Sequence, residues 1–220
     1  MKGRLITAKM IAGFKEHLIL EERSAATIQK YIRDVKAFAE YARLCQAAQR
    51  RHNERLNLIL QTICGTGIRV SELQFITVEA AKCGEAVVRC KGKTRTVFLV
   101  KALRQKLLRY AAKQNIQSGM IFVTRTGKPI SRTNIWREMK ALCVEADVNP
   151  QKVFPHNLRH LFARVFYGIE KDIAKLADIL GHSSINTTRI YNLHRHGTPP
   201  PDGNYAPDPM KKAAHSAAGT

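Results

Sequence analysis

A histidine and a tyrosine lie at the two ends of a short polar segment near residue 190. His182 follows a Leu-Gly pair, and Tyr191 comes after the string Ser-Ser-Ile-Asn-Thr-Thr-Arg-Ile. Upstream, Arg69 follows Gly-Thr-Gly, and a second cluster reads Pro-His-Asn-Leu-Arg-His over residues 155–160. Arginine forks neutralise phosphate oxygens through paired hydrogen bonds, and a tyrosine can attack phosphorus and hold the phosphate covalently. These residue types, in this order, predict chemistry on a phosphodiester.

Each of these residues, taken singly, has a more common structural interpretation. A lone arginine usually lies on a solvated surface, and a lone tyrosine usually packs on an amphipathic helix. The spacing favours function, because His156 and Arg159 are three positions apart and share one face of a helix. Pro155 suits the first turn of that helix. Glu72 comes one turn after Arg69 and is expected to orient its guanidinium.

Three strings in chain order resemble motifs of the tyrosine recombinase (phage integrase) family. They are Gly-Thr-Gly-Ile-Arg-Val-Ser-Glu-Leu at 65–73, Pro-His-Asn-Leu-Arg-His at 155–160 and the segment 180–191 that ends in Tyr191. The resemblance runs from about Arg55 to Tyr191. It implies a site-specific recombinase or integrase that cuts and rejoins double-stranded DNA through a 3′-phosphotyrosyl intermediate. The catalytic set that it implies is Arg69, Lys91, His156, Arg159, His182 and Tyr191.

The resemblance also assigns roles within this set. Tyr191 is the nucleophile, and the charged transition state is held by Arg69, Arg159 and His182. His156 assists proton transfer, and Lys91 protonates the leaving 5′ oxygen from the turn of a β-hairpin. Lys93 remains the alternative to Lys91, because the string Lys-Gly-Lys-Thr-Arg is one residue shorter than the family usually has there.

The charge of the chain supports a polyanionic partner. The sequence has 37 Lys and Arg against 17 Asp and Glu, a formal net charge of +20, which attracts and retains phosphates. Besides the catalytic set, four residues are predicted to contact DNA: Lys93, Arg95, Lys30 and Arg33. The sequence has no long apolar run and no signal-like start, so no membrane association and a cytoplasmic location are expected.

The sequence predicts neither a cofactor nor a metal. The five cysteines form no C-x-x-C pair and are interpreted as reduced thiols. His156 and His160 have the spacing of a zinc helix, but Asn157 stands where that motif requires glutamate.

Periodicity predicts a mainly α-helical (α+β) fold with a small antiparallel sheet. Helices are expected at 8–22, 24–43, 55–66, 72–76, 102–114, 132–146, 157–168, 171–180 and 186–194. Strands are expected at 86–90 and 95–100, with a further strand at 121–123. The family resemblance implies a partial helical core-binding arm (1–43) and a catalytic domain (44–195), and composition predicts a disordered tail (196–220) rich in Pro and Gly.

Two alternatives remain at this point. The arm is about half the family's usual length and the tail is atypical, which suggests a catalytically impaired DNA-binding remnant as one alternative. A type IB topoisomerase uses nearly the same residues but reseals the same strand. The family also implies self-association as a tetramer on DNA, and integration or excision of a mobile element as the biological setting.

Overall fold

The structure, a computed structural model, describes residues 6–90, 92–182 and 184–189. In chain order, the α-helices of this part are α1 (Ala8–Leu20), α2 (Ala25–Arg50), α3 (Glu54–Thr66), α4 (Val78–Cys83), α5 (Lys101–Lys113), α6 (Arg132–Leu142), α7 (Pro155–Glu170), α8 (Ile173–Leu180) and α9 (Ile185–Arg189). Strands β1 (Glu85–Cys90) and β2 (Lys93–Phe98) form one sheet, and 3-10 helices span Val70–Phe75 and Pro150–Lys152. The predicted mainly helical fold with a small antiparallel sheet is confirmed.

Helix α2 is longer than the sequence predicts. Ser24 caps its start as expected, because its side chain accepts a hydrogen bond from the Thr27 amide. The helix then continues past the predicted end at 43, since Leu44 and Ala47 are buried in the core. The prediction of a helix end at 43 is therefore wrong, while the domain boundary at 43/44 stays a prediction.

Helix α3 lies in the centre of the core. The four apolar residues that predicted a buried helix are all inaccessible to solvent, and they are Leu56, Ile59, Leu60 and Ile63. Neighbouring helices α2, α5, α6 and α7 pack against α3. Asn53 caps its start, and Gly67 ends it in the left-handed conformation.

The sheet is a hairpin that alternates between core and solvent. Ala86, Val88 and Val97 point inward and are buried. Cys90 pairs with Lys93, so only two residues separate the strands, which is less than predicted. The strand expected at 121–123 is absent from the described part, where this segment makes only isolated bridges, such as Val123 with Pro129.

Among the last helices, α8 packs against both α7 and α9. Helix α7 begins at Pro155, two residues earlier than predicted, because proline is well suited to the first turn. Helix α8 ends at Leu180 and is capped by Gly181, which adopts φ +63°. Helix α4 has no counterpart among the predicted elements. No helix among residues 6–90, 92–182 and 184–189 is long and apolar enough to cross a membrane.

Candidate active site

The site begins at the turn that ends α3. Gly67 has φ +65°, and a Cβ there would lie 2.5 Å from Cδ1 of Phe162 on α7. A side chain is therefore excluded both by the backbone and by the close approach of α7. The tight turn is followed by Arg69, which caps the start of the 3-10 helix.

Arg69 is oriented by a buried carboxylate. Its Nη1 donates to Glu72 Oε1 at 2.8 Å, and its backbone amide donates to Glu72 Oε2 at 2.8 Å. Its Nη2 donates to the carbonyl oxygen of Gly181 at 3.3 Å. Glu72 is only 1% exposed, whereas the Arg69 side chain is 36% exposed. The guanidinium is thus held by protein atoms and is still accessible to a ligand.

Arg159 is the second arginine of the site and lies beside Arg69. It is 3% exposed, and its guanidinium donates to the carbonyl oxygens of Gly67 and Leu180. The second of these bonds measures 2.6 Å. Arg159 therefore ties the end of α3 to the end of α8, and both chain turns meet around one positive group.

His182 contacts Arg159 from the segment after α8. Its Nε2 lies 3.2 Å from Arg159 Nη2, and its Nδ1 lies 2.8 Å from the hydroxyl of Thr188. Because arginine only donates, Nε2 must be the acceptor, so the proton sits on Nδ1 and is donated to Thr188. Thr188 is fully buried on α9, and it holds the imidazole in this tautomer.

The surroundings of His182 keep it neutral. Burial lowers the pKa of His182 to about 4, and the positive charges of Arg159, Arg69 and Arg95 contribute to the same shift, as does His156. The imidazole is therefore uncharged at neutral pH when no anion is bound. An anion placed among these groups would favour the protonated ring, which could then donate from both nitrogens.

His156 stands at the rim of the site on the first turn of α7. Its ring packs edge-on against His160, with 4.1 Å between centroids. Although the side chain is exposed, neighbouring atoms displace enough water to lower the pKa of His156, and Arg159, Arg132 and Arg69 lower it further. A neutral imidazole of this kind can accept a proton near pH 7.

The arrangement suits an anionic group with several oxygens. Two guanidinium groups and a histidine converge from the start of the 3-10 helix, from α7 and from the segment after α8, and carbonyl oxygens and Glu72 keep them in place. Such pre-organised donors stabilise charge that develops on a phosphoryl group. Within the described part of the chain, no group of three or more metal-binding side chains occurs.

Comparison with known proteins identifies the family. A sequence model described as the phage integrase family matches residues 36–197 of this chain. The chain belongs to the phage integrase family.

Two curated members illustrate the likeness. Tyrosine recombinase XerH of Campylobacter jejuni is 31% identical over 189 residues, which cover 82% of this chain and 50% of the relative. Tyrosine recombinase XerC of Erythrobacter litoralis is 30% identical over 174 residues, covering 75% of this chain and 56% of the relative. The chain therefore spans about half the length of the curated relatives that it matches.

Solved structures share the fold. The crystal structure of XerA recombinase superposes with a TM-score of 0.61 at 23% identity, covering 100% of this chain and 86% of the other. A pre-cleavage complex of XerH with difH substrate has a TM-score of 0.59 at 20% identity, covering 80% of this chain and 50% of the other. A lambda integrase dimer on a COC′ core site has a TM-score of 0.56 at 18% identity, covering 89% and 67%.

The structure of this integrase-family chain brings four of the six predicted catalytic residues to one place. Arg69, Arg159 and His182 form its centre, and His156 lies at the rim. Lys91 and Tyr191 lie outside the described residues. The assignment of all six to catalysis stays a prediction.

The predicted DNA-contacting residues are spread over two elements. Lys30 and Arg33 lie on α2, where Arg33 approaches Asp34 at 3.6 Å. Lys93 belongs to β2, and its side chain is outside the described part. Arg95, also on β2, donates to Glu72 Oε2 at 2.6 Å. Whether these four residues contact DNA stays a prediction.

Two residues of the site were not found by sequence reasoning in their present roles. From the sequence, Thr188 is only one residue of the segment before Tyr191, and Arg95 is predicted only as a DNA contact. A usable signal existed for Arg95, because strand alternation places it on the same face as the buried Val97. An arginine on a core face requires an acidic partner, and Glu72 was available.

Proposed function

We propose that this chain is a tyrosine-type site-specific DNA recombinase that cleaves and rejoins double-stranded DNA through a 3′-phosphotyrosyl intermediate. The observation that carries the proposal is the convergence of Arg69, Arg159 and His182 at the end of α8. The chain continues from there through α9, and Tyr191 follows two residues after the end of that helix.

The proposed cleavage step uses no cofactor. The phenol oxygen of Tyr191 attacks phosphorus and gives up its proton to His156, which is neutral at pH 7 because its pKa is lowered. The bond between phosphorus and the 5′ oxygen breaks, and Lys91 supplies the proton to that oxygen. Arg69 and Arg159 neutralise the non-bridging oxygens.

His182 changes its protonation during this step. In the free protein it is neutral and accepts from Arg159. The dianionic phosphoryl group raises the proton affinity of the ring, so that Nε2 becomes a donor to a non-bridging oxygen. Thr188 remains the acceptor for Nδ1 and keeps the ring in place.

Rejoining is the reverse of cleavage. A 5′ hydroxyl from a second strand attacks the phosphotyrosyl phosphorus and releases Tyr191. One bond to phosphorus replaces another of similar energy, so strand exchange needs no ATP. Integration or excision of a mobile element is the setting that we propose.

The partner in this proposal is duplex DNA, for which the net charge of +20 is suited. Related proteins are described in their structures as bound to difH substrate, to transposon right end DNA and to a core site. Lys30, Arg33 and Lys93 remain proposed contacts to the phosphate backbone of the DNA. Assembly as a tetramer on DNA and a cytoplasmic location also belong to the proposal.

We further propose that residues 1–43 form a helical arm and residues 44–195 the catalytic domain, followed by a tail. Such an arm would contact DNA on the side opposite the catalytic residues.

The proposal is tested by covalent trapping. The full chain is used to select binding duplexes from a random pool, and these are nicked near their centre so that a cleaved strand dissociates. A slower protein–DNA band on a denaturing gel is expected for the wild type and should be lost in Tyr191→Phe.

Tyr167→Phe is the matched control, because Tyr167 is a half-buried tyrosine of α7 that packs against Ala163 and Leu176. It should retain the adduct. DNA binding without an adduct in the wild type would contradict the proposal and favour the remnant. Relaxation of a supercoiled plasmid of arbitrary sequence would favour the topoisomerase.

A further inference from the structure

Arg95 occupies a position where an arginine is unusual. It lies on β2 opposite Val88, on the face that Val88 and Val97 turn toward the core. Its side chain is only 11% exposed. A cation placed there requires compensation, because a buried unpaired charge is strongly destabilising.

Two acceptors on different elements provide this compensation. Nη2 of Arg95 donates to Glu72 Oε2 at 2.6 Å, and Nη1 donates to the carbonyl oxygen of Ile179 at 2.9 Å. Glu72 belongs to the 3-10 helix that starts at Arg69, and Ile179 belongs to the last turn of α8. One guanidinium therefore joins the hairpin to two of the elements around the site, the 3-10 helix and α8.

The fit around Arg95 is close. A Cβ added at Gly181 would lie 2.6 Å from Cδ and 2.7 Å from Nε of Arg95. The backbone between α8 and His182 therefore rests directly on the aliphatic part of this arginine.

The contact between Arg95 and the end of α8 affects the hairpin because of where Arg95 lies along it. Ala86, Val88 and Val97 hold the hairpin to the core by apolar packing. Arg95 and Val88 form the pair that follows the inward pair Ala86–Val97 toward the last pair of the ladder, Cys90–Lys93, and Lys91 follows Cys90 in the sequence.

We propose that Arg95 is a positioning residue that fixes the hairpin, to which Lys91 is joined in the sequence directly after β1, against the end of α8. It acts through the placement of the general acid and makes no contact with the scissile phosphate. This inference rests on the proposed function, and it assigns Arg95 a role other than DNA contact.

The role of the leaving group provides a direct test. In the normal substrate, the bond from phosphorus to the 5′ oxygen breaks as Tyr191 attacks, and the oxygen takes a proton from Lys91. When sulfur replaces that bridging oxygen, the bond from phosphorus to sulfur breaks and a thiolate leaves unprotonated, since a thiol has a pKa of about 8.5. A defect in placing the acid should therefore disappear with the sulfur-linked DNA.

The experiment measures the rate of adduct formation on oxygen-linked and sulfur-linked nicked duplexes of the selected sequence. Arg95→Met should slow the oxygen-linked reaction about 100-fold, the lower range of general acid catalysis, and should react within about threefold of wild type on sulfur-linked DNA. Arg95→Lys can reach one acceptor instead of two, so a loss of about tenfold with the same rescue is expected. Lys91→Ala is the reference for a missing acid.

Two further variants separate the explanations. Arg69→Lys alters the group that holds the phosphate, so its defect should persist with both linkages. Arg55→Met is the matched control, because Arg55 on α3 also donates to a carboxylate (Glu138 on α6, 2.8 Å) and a carbonyl (Val123, 3.2 Å) but lies away from the hairpin's contact with α8. It should react like the wild type. An equal defect of the Arg95 variants on both linkages would overturn the positioning role.

Hydrogen exchange tests, without any catalysis, whether Arg95 holds the hairpin against the end of α8, a contact called the Arg95 tether from here on. In the full chain, amides of residues 86–97 should exchange at least about tenfold faster in Arg95→Lys than in wild type, since hydrogen bonds to charged groups are lost. Arg55→Met should leave the hairpin unchanged. Unchanged exchange in Arg95→Lys would overturn the tether.

The exchange measurement also separates this inference from the proposed function. If the wild type forms no adduct on either linkage, the recombinase proposal fails, and hairpin exchange alone decides the tether. If Lys91→Ala is not rescued by sulfur, Lys91 is not the acid, and the exchange result again decides whether Arg95 holds the hairpin.

Discussion

Replacing Glu72 by glutamine should destabilise the fold by about 3 kcal/mol, even though the two side chains have nearly the same shape. The carboxylate is 1% exposed and accepts three hydrogen bonds. Oε1 accepts from Arg69 Nη1, and Oε2 accepts from the Arg69 amide and from Arg95 Nη2. A glutamine has one acceptor oxygen, so in either orientation its NH₂ group faces a donor.

The magnitude follows from the different exposure of the two arginines. Removing one partner of a buried ion pair costs about 3–5 kcal/mol. Arg69 is 36% exposed and can turn toward water, whereas Arg95 is 11% exposed and cannot. The expected loss therefore lies near the lower limit, and for a chain of this size it corresponds to a fall in Tm of about 6–12 °C.

Urea denaturation of the full chain, followed by circular dichroism, measures this loss. Glu145→Gln is the matched control, because Glu145 pairs with Arg51 at 2.7 Å but both side chains are partly exposed. It should lose less than about 1 kcal/mol. A loss below about 1 kcal/mol for Glu72→Gln would refute the view that this carboxylate neutralises two guanidinium groups in the folded protein.

Three further predictions concern the end of α8. The folded-state pKa of His182 is lowered to about 4, so the unfolded chain binds more protons at this residue between pH 6.5 and 4, and stability falls as the pH drops through this window. This loss should amount to about 2 kcal/mol at pH 4.5 after allowance for partial exposure. Urea titrations at pH 7 and 4.5 should show the loss in the wild type and not in His182→Gln. Equal losses of stability in both proteins would contradict the prediction. Thr188→Val leaves the Nδ1 proton without its acceptor and should slow adduct formation about tenfold, while ¹⁵N NMR should report a changed tautomer; an unchanged tautomer would speak against the positioning by Thr188. Gly181→Ala combines φ +63° with a Cβ 2.6 Å from Arg95 and should cost about 2 kcal/mol in urea unfolding, whereas Gly168→Ala, with open space inside α7, should gain about 0.5–1 kcal/mol; a neutral Gly181→Ala would show that the close approach is relieved.

The elements that the sequence predicted well are those whose signal is local. Leu56, Ile59, Leu60 and Ile63 are buried at the expected helical spacing, and Ser24 caps α2 as its position suggests. Such features depend on residues within one or two turns of each other, and local spacing is directly readable.

The boundaries that were wrong depend on contacts with distant segments. Helix α2 continues to Arg50 because Leu44, Ala47 and Ala48 are buried among other elements. The segment 121–123 makes single bridges with Thr77 and Pro129 instead of a strand. Nothing in the local pattern shows where such partners lie.

For the candidate site, the sequence by itself determined which residue types are present and in what order. It supplied an arginine after a glycine turn, a His-x-x-Arg helix start, and a histidine followed by a tyrosine. It also placed Glu72 one turn after Arg69, close enough for the ion pair that the structure contains. These relations act over a few residues, so they could be inferred without coordinates.

Only the tertiary structure decided how these groups are held together. Arg95 reaches Glu72 and the Ile179 carbonyl, which lie 23 and 84 positions away in the chain. Arg159 reaches the carbonyl of Gly67, 92 positions away. The partners are backbone carbonyls at helix ends, and every residue type has such a carbonyl, so no side-chain pattern marks them. Their selection comes from the packing of α3, α7 and α8, which brings unsatisfied helix-end acceptors to buried arginines that must be compensated.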